Sequence, residues 1–353
     1  MTGPVDVDLL VVGGGPAGLA TALHAVRAGL SVRVLERRAG VVDKACGEGL
    51  MPGAVAALDA LGVDPPGHSI RGIAYCAPGR RAEARFRAGA GRGVRRLALH
   101  GALREAALRA GVDVEEVLVD DVTQGDVVTA GGLRARYLVA ADGLHSPLRR
   151  SLGLDAAVRG PARFGLRRHY AVAPWSDDVE VHWARDAEAY VTPVDDDIVG
   201  VAVLSSGRGG LDDRLDAFPD LLERLRGAEH ASRVRGAGPL RQTATRRTAG
   251  RVLLVGDAAG YVDALTGEGV ALALGQAEAA VRAVVADDPS AYEREWRRVT
   301  RRYRWLTGAL VTSTRPAVVR RAVVPAAAAL PPVFRAAVDA LARPVGEPAR
   351  SVL

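Results

Sequence analysis

Three apolar runs in this chain stop abruptly at glycine or aspartate, and after the first and last of them the hydrophobic period changes from that of a strand to that of a helix. Val7 and Leu9 to Val12 form the first run. Beyond Gly13-Gly14-Gly15, residues Ala17, Leu19, Ala20, Leu23 and Val26 recur at helical spacing, which predicts strand, tight turn and helix. Ser31 to Leu35 reads as a second strand, closed by Glu36. Arg136 to Ala141 runs into Asp142-Gly143, and Arg251 to Val255 runs into Gly256-Asp257. Thr266-Gly267-Glu268-Gly269 then opens a helix expected from Val270 to Ala286.

Between these marks the pattern is less regular. Ala54 to Leu61 and Leu97 to Ala110 read as helices, and Ile70 to Cys76 as strand. Short strands are expected around Val112 to Val119, Val122 and Val127 to Thr129. Phe164 to Leu204 alternates as a sheet does, Leu211 to Arg226 reads as one helix, and from Tyr292 the chain is helical, interrupted by Pro316, Pro325, Pro331 and Pro332. The expected fold class is α/β: a Rossmann-like dinucleotide-binding domain interleaved with a smaller β-sheet substrate domain, plus C-terminal helices. Its parts would be 1–70, 96–160 and 246–290 for the first domain, 71–95 and 161–245 for the substrate domain, and 291–353 for a helical cap.

At 353 residues and 48% hydrophobic, the chain can bury a large core. A net charge of +6 raises the question of nucleic acid, but the arginines are mostly scattered, Lys44 is the only lysine, and no nucleic-acid motif accompanies them. Nucleic acid is therefore not an expected partner. The start, Met1-Thr2-Gly3-Pro4, has neither a basic nor an apolar leader segment, and two cysteines, Cys46 and Cys76, suit a reducing compartment, so a cytoplasmic setting is expected. The seven histidines form no pair at metal-ligand spacing, and no metal is expected.

Gly13, Gly15 and Gly18 fit G-x-G-x-x-G. The first permits the turn, the second lets a pyrophosphate approach the backbone, and the third lets helix pack on strand; Pro16 and Ala17 begin that helix. Its free N–H groups and partial positive charge stabilise a pyrophosphate. Glu36 lies eighteen residues past Gly18, where a carboxylate reaches an adenosine ribose.

The three marks in this order resemble the FAD-dependent aromatic hydroxylase fold, of the para-hydroxybenzoate hydroxylase type, over Val7 to about Ala286. The likeness takes in the geranylgeranyl reductases and the flavin halogenases. It implies that Gly13, Gly15, Gly18 and Glu36 hold the ADP half of FAD, that Arg37 flanks the adenosine, and that Arg96 leans on the ribityl–pyrophosphate region. Val119 is counted with this cofactor-binding set. Gly256 would let the backbone approach while Asp257 accepts from a ribityl hydroxyl. Gly267, Glu268 and Gly269 would place a helix N-terminus at the flavin's negative end. Asp142-Gly143, with Ser146 and Arg149, resembles a fingerprint associated with FAD pyrophosphate and a visiting nicotinamide nucleotide. Lys44-Ala45-Cys46-Gly47 resembles the loop that lies over the flavin in reductases and halogenases; Lys44 would neutralise pyrophosphate charge, and Cys46, gating or lining the flavin face, is the candidate catalytic residue.

The expected function is an FAD-dependent monooxygenase that uses NAD(P)H and O2 to hydroxylate a hydrophobic or aromatic small molecule. The alternative is a geranylgeranyl reductase-like enzyme acting on an isoprenoid or alkene. It shares the Lys44-x-Cys46 loop and Thr266-Gly267-Glu268-Gly269, which follows Gly256-Asp257-Ala258-Ala259-Gly260 where hydroxylases carry His and Pro. Against it, the reductases' tryptophan motif is reduced here to Tyr190-Val191-Thr192-Pro193; the halogenase tryptophan pair is missing too, Trp183 standing alone. A non-catalytic flavin-binding scaffold is an answer of another class. The C-terminal stretch mixes Tyr303, Trp305, Leu306, Leu310 and Val311 with Arg297, Arg298, Arg301, Arg302 and Arg304. It is expected to cap a hydrophobic entrance, with peripheral membrane contact as a further reading; the alternative is a terminal segment that docks on its own domain with the arginines as its solvated side.

Overall fold

The computed structural model describes residues 5–158, 160–207 and 209–346. The N-terminal four residues, read above for a leader, and 347–353 of the expected cap lie outside the described residues.

Val7–Val12 is nearly all apolar because it runs through the middle of a sheet. It pairs in parallel with Leu133–Ala140 on one side and Val32–Glu36 on the other. Val252–Leu254 extends the parallel sheet beyond the former, and Asp113–Glu116 beyond the latter. Parallel sheets bury both faces, which explains the continuous apolar runs. The register sets Val12 opposite Leu35 and Ala140, and Ala140 opposite Leu254. All the marked turns therefore leave the sheet along one carboxyl edge, where ligands of open α/β sheets bind.

Helix Pro16–Arg27 starts with Pro at its first position, where no N–H is lost. It packs against Gly269–Val285, which in turn carries the long helix Pro289–Ser313. Helix Arg96–Arg109 begins one residue earlier than its periodicity suggests, which puts Arg96 in the first turn.

A second sheet is mostly antiparallel, in the order Glu229–His230, Phe164–Ala171, Ile198–Ser205, Ala187–Pro193, Asp178–Trp183, Gly72–Ala77, Arg80–Arg85. Ala187–Pro193 is buried throughout because both faces are covered. Ala187, Ala189 and Val191 meet Leu211, Phe218 and Leu221 on one face. Tyr190 belongs to the other, with Val324, Phe334 and Val338 of the C-terminal helices. A third, three-stranded sheet of Gly49–Leu50, Gly91–Gly93 and His68–Ile70 spans the boundary drawn at residue 70.

Two helical expectations change. The single helix over 211–226 is two, Leu211–Leu215 and Pro219–Arg224, because Pro219 drives Phe218 out of helical backbone (φ −129°, ψ 68°). Pro325, expected to interrupt, sits inside Ala317–Ala329; the carbonyl it leaves without a donor belongs to exposed Arg321, within reach of water. The break falls at Leu330, where Pro331–Ala342 turns away by 102°. Among the described residues no single helix is long and apolar enough to cross a membrane.

A Cβ at Gly18 would lie 1.8 Å from the Gly13 carbonyl oxygen. Gly18→Ala is expected to lower unfolding stability by about 2 kcal/mol or more, read from its urea midpoint; an unchanged midpoint would contradict the packing described.

Candidate functional site

The glycines at the carboxyl edge have separable jobs. Gly13 has φ +105° and no room for a side chain, since a Cβ would come within 2.3 Å of the Ala141 carbonyl oxygen. Gly15 is the opposite case, with open space beyond its Cα. Glu36 is buried, its Oε2 accepting the Gly14 N–H at 2.8 Å and its Oε1 accepting from the Arg38 backbone N–H and Nε. A carboxylate so held keeps acceptor capacity for a hydroxyl. Arg37, expected at the adenosine, is exposed, and the guanidinium on Glu36 is that of Arg38.

Asp257 stands in a turn, Gly256–Ala259, whose first residue has φ +67° and whose Cβ would press on Ala17 at 2.8 Å. Lys44 reaches across from its loop and donates to Asp257 Oδ2 at 3.0 Å. A Cβ at Gly143 (φ +89°) would sit 3.8 Å from Lys44 Nζ, so Asp142-Gly143, Lys44 and Asp257 share one corner. Asp142 is partly exposed; its Oδ2 accepts the Leu148 N–H at 3.1 Å, while Oδ1 is buried without a partner.

The loop is anchored by Glu48, at φ +61° and buried. Its Oε1 accepts the Arg96 backbone N–H at 2.7 Å, and its Oε2 is 2.7 Å from His169 Nε2. Arg167 Nη1 donates to His169 Nδ1, so Nε2 carries the proton and donates to Glu48. Arg167 also pairs with Asp43. Burial, and then the Glu48 charge, push the Cys46 thiol up, so at neutral pH it stands protonated. The Arg96 side chain is buried with Nη1 unpartnered.

Helix Gly269–Val285 has no side-chain cap, leaving its first N–H groups open. Gly267 has φ +70° and lies near Met51, Gly269 near the Tyr261 ring. Glu268 is buried, 3.7 Å from Arg302, with Oε2 unpartnered, and burial raises its pKa to about 7. Val119 packs in the core beside Gly131.

Arg149 departs from its expected role. It is buried and donates to the carbonyls of Leu144, Asp257 and Ala258, to Gln242 and to Asp155, clasping the Asp142 loop to the Gly256 turn. No donor is left over for a visiting nucleotide's phosphate. Glu48 and His169 carried no role in the sequence reading, because nothing local marks a contact between residues 121 apart. Nor did Glu180 and His182, which with Cys76 bring ligand atoms within 4.8 Å of one another. Arg81 donates to Glu180 there and lies 3.6 Å from Cys76 Sγ, so a guanidinium already supplies the cationic charge. In the cap, Tyr303 docks on the Asp263 carbonyl at 2.7 Å, while Trp305 is exposed.

The edge thus offers uncapped helix N-termini at Pro16 and Gly269, open space at Gly15, the cations Lys44 and Arg96, and acceptors Glu36, Asp142 and Asp257. Bare N–H groups and cations suit a pyrophosphate, and acceptor-only carboxylates suit ribose and polyol hydroxyls. The buried unpartnered atoms of Arg96, Asp142 and Glu268 face costs that a bound polar ligand would relieve. These residues fit FAD.

The comparisons agree with the geometry. The chain belongs to the family described as FAD binding domain, which matches residues 6–286. It is similar to digeranylgeranylglycerophospholipid reductase 1 of Methanopyrus kandleri, 30% identical over 333 residues, covering 83% of this chain and 86% of that protein. It is also similar to a menaquinone reductase of Mycobacterium tuberculosis, 31% identical over 304 residues and covering 75% and 73%. Among solved structures, a flavin-dependent brominase superposes with a TM-score of 0.80 at 17% identity, covering 95% of both chains. A geranylgeranyl bacteriochlorophyll reductase-like protein of Thermoplasma acidophilum gives 0.77 at 21%, covering 90% of both. The chain is an FAD-dependent oxidoreductase.

Two measurements check this site. Gly15→Ala should leave the urea midpoint in place and weaken FAD by tenfold or so, because its Cβ enters space the pyrophosphate needs; unchanged FAD affinity would remove the pyrophosphate from Gly15. Glu268 has a folded pKa above its unfolded value, so the folded state holds the proton longer and stability falls as pH rises from about 4.5 to about 7. Glu268→Gln should therefore gain on the wild type across that window, by about 3 kcal/mol at its upper end. Parallel pH profiles of the two Tm values would contradict the burial argument.

Proposed function

We propose that this oxidoreductase saturates carbon–carbon double bonds of a polyprenyl chain rather than hydroxylating an aromatic ring with O2. The observation that carries the reading is the apolar seam beside the site, taken with the relatives' names. Met51, Leu144 and Leu265, on the loops at the carboxyl edge, share one buried cluster with Trp183 and Tyr190 of the second sheet and with Val324, Phe334 and Val338 of the cap. These side chains are packed against one another, so what the region offers a long hydrocarbon is an apolar lining between the flavin end and the cap rather than an open channel. One relative is named for a geranylgeranyl lipid and the other for menaquinone.

FAD, when bound, supplies hydride chemistry. Saturating an alkene also needs a proton, and Cys46 is the residue proposed to hold it at Sγ, since burial and Glu48 keep the thiol protonated. Glu48 and Arg167 fix the loop that carries Cys46. The cap excludes water from the seam, pinned by Arg320 on Glu188 and the Ala184 carbonyl. NAD(P)H remains the proposed reductant on the family likeness. A cytoplasmic setting belongs to the same proposal, supported by the two free cysteines.

FAD-loaded protein, reduced anaerobically with dithionite and incubated with a geranylgeranyl ether lipid in detergent, should yield product heavier by two hydrogens for each bond reduced. Product that gains oxygen, and only in air, would favour the hydroxylase. Cys46→Ala should retain FAD while turnover drops by about 10²-fold, the usual scale of a lost proton donor; full activity would remove Cys46 from the chemistry.

A further inference from the structure

The two C-terminal helices each have one face explained and one that is not. Both pack on strand Arg80–Arg85, with Val324 on Ala317–Ala329 and Phe334 and Val338 on Pro331–Ala342 buried, while Arg320 reaches Glu188 and the Ala184 carbonyl. Their opposite faces are turned away from the same sheet, and there a soluble helix normally carries charge of both signs. Here Val318 is 78% exposed, Leu330 55% and Val333 63%, with alanines and prolines between them. The only charged residues exposed on these faces are Arg321 and Arg335.

Charge narrows the occupant. Residues 291–353 hold twelve arginines against four acids, Glu293, Glu295, Asp339 and Glu347, a net of +8. The whole chain is only +6, so the rest is net −2 and the cationic excess is concentrated in the cap. A second copy of this chain, docked through the same face, would set Arg321 and Arg335 against their own counterparts, which like-charge repulsion opposes. An anionic bilayer answers both features: valines enter the acyl boundary while arginines meet headgroup phosphates.

We infer that the outer face of helices Ala317–Ala329 and Pro331–Ala342 docks the enzyme on an anionic lipid surface. This rests on the polyprenyl reading, because a substrate dissolved in a bilayer would then reach the apolar seam beneath the same two helices.

Full-length FAD-loaded protein is sedimented with vesicles of phosphatidylcholine, with or without phosphatidylglycerol. It should co-sediment with the anionic vesicles and be released as salt approaches about 1 M, where the Debye length is about 3 Å. Val318→Asp with Val333→Asp should lower partitioning at least about tenfold, the scale of losing two exposed valine contacts, with flavin content and Tm retained. Arg321→Gln with Arg335→Gln should reduce the preference for phosphatidylglycerol. Wild type that binds neither vesicle, or aspartate variants that bind as wild type, would overturn the inference. So would a dimer by light scattering that Val318→Asp splits, which would give the face to a second copy. Binding is read without substrate or turnover; if it holds while alkene reduction fails, only the proposed function falls.

Discussion

A buried carboxylate, Glu48, ties the dinucleotide-binding edge to the second sheet at the point where the loop over that edge is held. Glu48 accepts the first N–H of the helix that carries Arg96, and it receives His169 Nε2 from the heart of the second sheet. Removing one partner from a carboxylate at that depth costs about 3–5 kcal/mol, so the two contacts favour one arrangement of the loop. The consequence is geometric. The loop from Asp43 to Leu50 is pinned at both ends, by Arg167 on Asp43 and by Glu48, with Lys44 reaching Asp257 between them. The wall over the dinucleotide edge is thus set by residues of the second sheet.

The same logic recurs at the far side of the seam, where Glu188 is buried between Arg163 and Arg320. Burial pushes the Glu188 carboxyl up, and the two guanidiniums partly offset it. Arg320 belongs to the cap, so removing the cap would strand Glu188 with half its compensation. Ion pairs of this depth add little net stability, but breaking one costs about 3–5 kcal/mol, which makes them good at fixing an arrangement.

Much of this was legible in the sequence. The switch from apolar run to helical period at Gly13 predicts the turn, because backbone geometry admits only glycine there. Asp142-Gly143 and Gly256-Asp257 mark strand ends for the same reason, and the sheet's register then aligns them. What could not be read is whatever depends on residues far apart in the chain. Arg149 and Arg150 are adjacent and chemically identical, yet one is a fully engaged clasp and the other lies on the surface. Glu48 sits in a loop with no periodicity, and only the folded sheet brings His169 to it. The reductase reading was already legible as the alternative, in Lys44-x-Cys46 and Thr266-Gly267-Glu268-Gly269; what favours it over the hydroxylase expectation is relatives at about 30% identity and the apolar cluster, which exists only once the cap is folded.

The coupling of the two halves through Glu48 is tested most directly by a double-mutant cycle read on the FAD dissociation constant. His169 lies in the second sheet and reaches the dinucleotide edge through Glu48. Glu48→Ala and His169→Ala should each weaken FAD by about tenfold, and the double variant should be scarcely weaker than either alone. Strictly additive losses, or a His169→Ala protein that binds FAD as wild type does, would show that the second sheet does not hold the Asp43–Leu50 loop in place.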